Sequence, residues 1–402
     1  MPAPKADAKA TKTEAARSKT DATDPQKTRS EGAATETEAA RPAAKATQIE
    51  ERRTETDVLA VTSTRRALAA GASLVPGLLV HGSGHWVLGE RDTAGRLLLF
   101  EGVGLGALVV SLSGLALTGA SRYFVAPLAA GAVGGAGMFG ITWLADVYGV
   151  LAPDGGTGAP TGVRPRLAIA TGIRVVHDPR FPHDVFVSHG FTVDAGPLWL
   201  SPTFDIAVDA PNRRYALDVG RRLIGATAAE PTGSGTALDV VLGVADHAYD
   251  TDRFSLTTLE LSLAGRLELA SFARTLRGSF AEASLGYARH WYRYAGLEDD
   301  PADALLARVG FGIYIGHGNP LRGEATVAYD HRRDTLAGGL LVPGIGVGYL
   351  GFFEQRTELF FARGVGAALE LAAGSALVVT TQLLLDSSLF ESDQITKGGA
   401  AR

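Results

Sequence analysis

Along residues 163–390 apolar and polar side chains alternate almost one for one. In Leu259–Leu269 the residues Leu259, Leu261, Leu263, Leu267 and Leu269 share one parity, and Glu260, Ser262, Ala264, Arg266 and Glu268 share the other. Residues 307–316 set Ala307, Val309, Phe311, Ile313 and Ile315 against Arg308, Gly310, Gly312, Tyr314 and Gly316. Residues 321–330 set Leu321, Ala325, Val327 and Tyr329 against Arg322, Glu324, Thr326 and Asp330, and Arg166 and Arg174 oppose Leu167, Ile169, Ile173 and Val175. A period of two is that of a strand, because a helix would scatter these positions around its surface. About twelve such runs are read, with ten as the alternative count. They lie near 165–177, 185–195, 197–209, 213–223, 237–249, 254–269, 278–294, 304–316, 321–332, 345–361, 363–372 and 376–389. Gly196-Pro197, Pro211-Asn212 and Gly318-Asn319-Pro320 supply hairpin turns between them.

Upstream the period changes. Ala67–Gly89 carries no charge, and between Leu97 and Ala145 the only formal charges are Glu101 and Arg122. Tyr123–Ala145 as a helix is about 35 Å long, enough to cross a bilayer. The spacings Gly102/Gly106 and Gly131/Gly135 predict close helix approach. The soluble alternative is a buried helical hairpin. Pro76-Gly77, Gly84-His85 and Gly89 resemble a pattern of small bacterial membrane hairpins, which implies helix–turn packing and not chemistry.

Residues 1–57 contain no aromatic residue, no Leu and no Val, so they hold nothing to offset the entropy of ordering. They read as a disordered tail with a transient helix near Gln48–Thr54. No apolar segment of a signal peptide follows Met1. The expectation is that a leader was removed or that the first apolar segment directs export. The organisation read is therefore a tail (1–57), a Gly/Ala-rich apolar helical region associated with membrane (58–152), a β-domain (163–390) and a C-terminal tail (391–402).

Composition narrows the function classes. The net charge of −5 offers no basic face for nucleic acid, and zero Cys excludes disulfides, thiol catalysis and Cys-based metal sites. No Lys occurs between 163 and 390. A water-facing sheet is usually rich in Lys, whereas Arg, acids and small residues suit a confined interior where charges pair. Tyr215, Tyr249, Trp291, Tyr292 and Tyr294 sit towards strand ends, as interfacial girdles do.

On this alternation and hairpin spacing, residues 163–390 resemble bacterial outer-membrane β-barrel proteins as a class. The resemblance implies an all-β transmembrane antiparallel barrel and an outer-membrane location. Its departure is the final strand: Leu377–Phe390 ends on an aromatic residue, but Asp386 and Ser388 occupy alternate positions and further residues follow. Apolar helices rarely precede such a barrel. Either their Gly/Ala content keeps them below the insertion threshold, or they pack on the barrel after export.

The residues expected to line the barrel interior are Arg166, Arg174, Glu260, Arg266, Glu268, Arg308, Arg322, Glu324 and Asp330. Arg308 and Arg322 are expected at similar depth. Leu261 and Phe311 are expected to meet the bilayer. No catalytic, cofactor or metal residue is assigned. His81 and His85 have a metal-ligand spacing but read as turn histidines. Ser188-His189, Asp246-His247 and Asp330-His331 put adjacent residues on opposite faces, so none makes a dyad by itself. Thr232–Thr236 lacks the Lys of a phosphate loop, and Glu298-Asp299-Asp300 with Asp303 reads as a solvated loop. The function expected is a passive pore, an anchor or an envelope organiser, not an enzyme. The rival readings are a barrel-embedded lipid hydrolase and an inner-membrane hairpin carrying a periplasmic β-sandwich. The partners implied are membrane lipid, ions or small solutes, and an envelope protein reached through the N-terminal tail.

Overall fold

The computed structural model describes residues 63–121, 123–152, 158, 165–177, 184–227, 235–249, 254–296, 300–316, 321–331, 351–374 and 376–387. The tails at 1–57 and 391–402, and Phe390 with them, lie outside the described residues.

Twelve antiparallel strands close on themselves: β1 (Leu167–His177), β2 (Asp184–Asp194), β3 (Leu198–Ala207), β4 (Arg213–Ile224), β5 (Ala237–Ala248), β6 (Ser255–Glu268), β7 (Ser279–Arg293), β8 (Asp300–Ile315), β9 (Arg322–Asp330), β10 (Phe352–Ala362), β11 (Val365–Ala373) and β12 (Leu377–Asp386). Each strand pairs with its sequence neighbours, and β1 closes on β12 with Ile173 opposite Thr381. A β-sandwich is thereby replaced by a barrel without sheet edges. β1 begins and β12 ends at the same rim, here the terminal end; the opposite rim is the far end.

The parity read from the sequence decides which side chains point outward. Leu259, Leu261, Leu263, Leu285 and Val327 are exposed on the outer surface, with Leu261 at 56%. Tyr249, Phe254, Tyr292 and Tyr294 have the opposite parity and cluster at the far end beside buried His247, on which Tyr249 stacks at 3.7 Å, while on the outer surface Phe191, Phe204 and Tyr215 make an edge-to-face row among the exposed leucines. Such a belt has no aqueous rationale, and lipid is the solvent that suits it.

Among the described residues four helices precede the barrel: α1 (63–74), α2 (Ser83–Leu88), α3 (Arg91–Thr118) and α4 (Val125–Leu151), with a 3-10 turn at Pro76–Leu78. α3 and α4 form a hairpin standing against the outer face of β7 and β8. Phe311 meets Tyr148 edge to face at 6.2 Å, and Leu97, Ala145, Leu269, Leu276 and Phe311 form one buried cluster. Tyr148 donates its hydroxyl to the Arg277 carbonyl (2.8 Å), fixing the end of α4 to the turn between β6 and β7 at the terminal end.

Three expectations are corrected here. Phe311 does not face lipid: it is 6% exposed, covered by α4. Parity gives a side of the sheet but not its neighbour. The close helix approach uses Gly104 and Gly135, not Gly102 and Gly106. A Cβ on Gly135 would lie 2.6 Å from the Gly104 carbonyl, whereas Gly102 and Gly106 face open space. Arg308 and Arg322 are not at similar depth. The hairpin register puts Arg308 opposite Asp330 and Gly323 opposite Ile315, so the two arginines stand near opposite ends of that hairpin.

Candidate functional site

The alternate positions that avoid the outer belt converge inside the barrel. Arg266 on β6 holds Glu324 on β9 through two hydrogen bonds, Nη1–Oε2 at 2.7 Å and Nη2–Oε1 at 3.0 Å, with β7 and β8 between them. The planar guanidinium reaches both carboxylate oxygens at once, which an ammonium would not. The same guanidinium lies 4.1 Å over the Phe280 ring and 3.5 Å from Glu282. Glu282 also accepts from Arg308, and Arg308 Nε donates to Glu354 at 3.1 Å. The result is a continuous chain, Glu324–Arg266–Glu282–Arg308–Glu354, reaching from β6 to β10.

Other pairs repeat the device. Arg322 on β9 reaches Asp386 on β12 at 2.9 Å. Arg174 on β1 reaches Asp205 on β3 at 3.1 Å and the Thr380 hydroxyl on β12 at 3.1 Å. Arg356 bonds Glu358 and Glu370 at 2.7 and 2.9 Å, and Arg222 bonds Asp239 at 2.6 and 3.2 Å.

Two cavities lie among these side chains. One of about 1040 Å³ is lined by Arg166, Glu260, Arg266, Arg308, Arg322 and Glu324 among others. The second, about 450 Å³, is lined by Arg174, Asp205, Arg214 and Glu370. Thr192, Asp218, Glu260 and Arg356 belong to both walls. Towards the far end, Val176, Phe186, Ala207, Phe352, Ala372 and Val378 form a buried apolar cluster. At the same end His247 Nε2 meets Asn212 Oδ1 at 2.7 Å, and His290 Nδ1 meets Thr258 Oγ1 at 2.9 Å.

Of the nine residues singled out in the sequence, Arg166, Arg174, Glu260, Arg266, Arg308, Arg322 and Glu324 line these cavities. Asp330 is buried opposite Arg308. Glu268 stands at the terminal rim, accepting from the Gly235 backbone N–H at 3.3 Å. The sequence reading missed Glu282, Glu354, Arg356, Glu370 and Asp386. The signal for Glu354, Arg356 and Glu358 was present as alternate charges in β10. For Asp386 it was masked, because the residue looked like a flaw in the closing strand.

The pairs of adjacent polar residues separate as the pleat dictates. Ser188 is buried, whereas His189 Nδ1 lies 2.7 Å from Thr171 Oγ1 on β1. Asp246 accepts from Thr257 at 2.8 Å, away from His247.

A second polar cluster lies in the helical region. Gly82, in the left-handed region at φ 83°, starts α2 and turns the chain so that His81 and His85 both point inward. The His81 backbone N–H donates to Glu101 Oε2 at 2.8 Å, and His81 Nδ1 lies 2.6 Å from Thr142 Oγ1. His85 Nδ1 lies 2.6 Å from Asp146 Oδ1, and the Gly84 and His85 N–H groups cap the same carboxylate at 3.2 and 3.3 Å. The two imidazoles thus engage different partners, Thr142 for His81 and Asp146 for His85. Among the described residues no group of three His, Asp or Glu side chains has metal-site spacing.

No protein-family model matches the sequence. No curated protein matches it. Among solved structures the chain is similar to the translocator domain of the autotransporter NalP from Neisseria meningitidis, at 11% identity and TM-score 0.35 over 54% of this chain and 86% of that one. It is similar also to the β domain of the Bordetella autotransporter BrkA, at 15% identity and TM-score 0.31 over 57% and 99% of the two chains. A third is the Acinetobacter baumannii outer membrane protein Omp33, at 9% identity and TM-score 0.28 over 56% and 100%. These neighbours are outer-membrane β-barrels, and the likeness is one of fold.

Proposed function

We propose that this chain is an integral outer-membrane barrel whose interior is closed by ion pairs, so that it anchors and organises the envelope and does not serve as an open pore. The observation that carries this reading is the chain Glu324–Arg266–Glu282–Arg308–Glu354, which joins strands that are not neighbours. Twelve strands leave limited space once guanidinium groups fill it. Each arginine here is held by carboxylates on other strands, which fixes it across the interior. The buried cluster around Phe186 and Phe352 adds an apolar obstruction towards the far end. The nine residues singled out in the sequence then serve as interior wall and brace.

The test is planar-bilayer recording with the purified full chain. A flat baseline is expected. A steady ohmic conductance in the unmodified protein would overturn the closed reading in favour of a small-solute pore. Glu282→Ala removes the carboxylate shared by Arg266 and Arg308. It is expected to produce intermittent openings that favour anions, because two guanidinium groups lose a partner. Hydrolysis of labelled phospholipid by the same preparation is expected to stay at background. Turnover above that level would bring the hydrolase reading forward.

A further inference from the structure

We propose that the α3–α4 hairpin is a second, helical transmembrane element, seated in the same bilayer as the barrel and docked on β7 and β8. The partner of its outer surface is the acyl-chain region of the membrane. This rests on the barrel being membrane-embedded, and it adds that the helices share that solvent.

The hairpin is inside out by the standards of a water-soluble protein. Beyond the charged first turns of α3 its polar groups turn inward: Glu101 is 6% exposed, Asp146 is fully buried, Ser111 and Thr142 are buried with them, and His81 and His85 of the preceding turn and α2 are buried against them. Its apolar groups are outside: Val110 is 69% and Leu117 88% exposed, with Leu99, Val103, Val109 and Leu112 beside them. A helix in water would reverse both, because burying a carboxylate is costly and exposing leucine gains nothing. In hydrocarbon the arrangement is the expected one, with ionisable groups turned to the bundle interior and each one paired. The only charge described between Leu97 and Ser121 is Glu101, and its carboxylate is spent on the His81 N–H.

Length and position agree. At about 1.5 Å per residue, α3 and α4 are each about 40 Å long, sufficient for a bilayer core and part of its interface. Both pass as membrane spans by length and hydropathy, yet only 22% and 17% of their most apolar windows are buried, so neither is the core helix of a soluble domain. Gly137 rests against Val309 midway along β8, and Tyr148 reaches the turn at the terminal end, so α4 runs alongside the strand. Its exposed face is therefore continuous with the outer belt of Leu261, Leu263 and Leu285. One apolar band encircles barrel and hairpin together.

The chain has no cysteine, so single cysteines report cleanly. The full chain carrying Val110→Cys or Leu261→Cys is labelled with an environment-sensitive fluorophore. It is then reconstituted into phosphatidylcholine vesicles with and without brominated acyl chains. Both sites are exposed and apolar, so neither substitution disturbs packing. The expected result is a blue-shifted emission at both positions and a comparable loss of emission in brominated lipid. Quenching at Leu261→Cys without quenching at Val110→Cys overturns the helical proposal and leaves the barrel reading standing. Quenching at Val110→Cys alone places the helices in lipid without the barrel, and overturns the shared bilayer. Quenching at neither overturns both. As an independent check, Gly137→Leu, whose side chain would collide with Val309, is expected to release α4 from β8 and to raise proteolysis between α4 and β1, and an unchanged cleavage pattern removes the docking site.

Discussion

Arg322 and Asp386 meet at 2.9 Å although β10 and β11 separate their strands. Asp386 is also the register partner of Ala168 across the closing seam. One ion pair therefore ties β9 to the point where the barrel closes. Its guanidinium rests 5.0 Å over Phe360 on β10, so the side chain is held along its route. Asp386→Asn is expected to lower stability by about 1–3 kcal/mol, the range for leaving a half-buried charge without its partner. The measurement is the temperature at which the folded, fast-migrating form is lost on an unheated-to-heated gel series. An unchanged temperature would show that the pair does not brace the seam.

The bidentate pair predicts coupling. Arg266→Ala and Glu324→Ala are each expected to cost about 1–3 kcal/mol, with the double variant costing clearly less than the sum. Thermal or denaturant unfolding of the four proteins in one detergent measures this. Strict additivity would mean that the two hydrogen bonds contribute nothing beyond their separate contacts.

Position on the outer surface separates two substitutions that the sequence treats alike. Leu261→Arg places a charge in lipid and is expected to cost about 2–4 kcal/mol of insertion. Phe311→Arg strikes the surface under α4 and is expected to free the hairpin while the barrel still inserts. Limited proteolysis distinguishes them: cleavage between α4 and β1 rises for Phe311→Arg and not for Leu261→Arg.

Close helix approach makes a sharp contrast among glycines. Gly135→Leu puts a side chain against the Gly104 backbone and is expected to separate the helices. Gly102→Ala faces open space and is expected to be neutral within about 0.5 kcal/mol. Circular dichroism melts of both variants decide it.

Asp146→Ala leaves the Gly84 and His85 N–H groups and the His85 ring without their acceptor. A loss of about 2–4 kcal/mol in the helical region is expected, from several buried donors left unsatisfied. Hydrogen exchange across residues 63–90 is expected to accelerate, with β1–β12 unaffected.

The barrel was legible because its signal is local and repeated. Leu259–Leu269 states its own parity, and the turn residues punctuate strand after strand. Of the strand read near 345–361, residues 345–350 lie outside the described residues, and the described strand begins at Phe352. The interior was legible as a set of residues and not as a set of pairs. Arg308 and Arg322 look like neighbours in a hairpin, but antiparallel register sends them to opposite ends, and their partners come from β7, β10 and β12. Such partners depend on the closure of the whole barrel, which no window of sequence contains. The helical cluster was half legible. His81 and His85 stood out by spacing, but their partners Glu101 and Asp146 lie on two other helices.

The capping of Glu101 by His81 makes the lipid solubility of α3 conditional on tertiary structure. As an isolated helix, α3 exposes an ionised carboxylate about a third of the way along its length. By insertion scales a carboxylate at a helix centre costs roughly 2.5–3.5 kcal/mol. Once the turn before α2 folds back, the same carboxylate accepts a backbone N–H and leaves the surface. The acyl chains then meet only the apolar face of the helix. A single backbone amide, supplied from outside α3, thereby completes the surface that the helix offers to lipid.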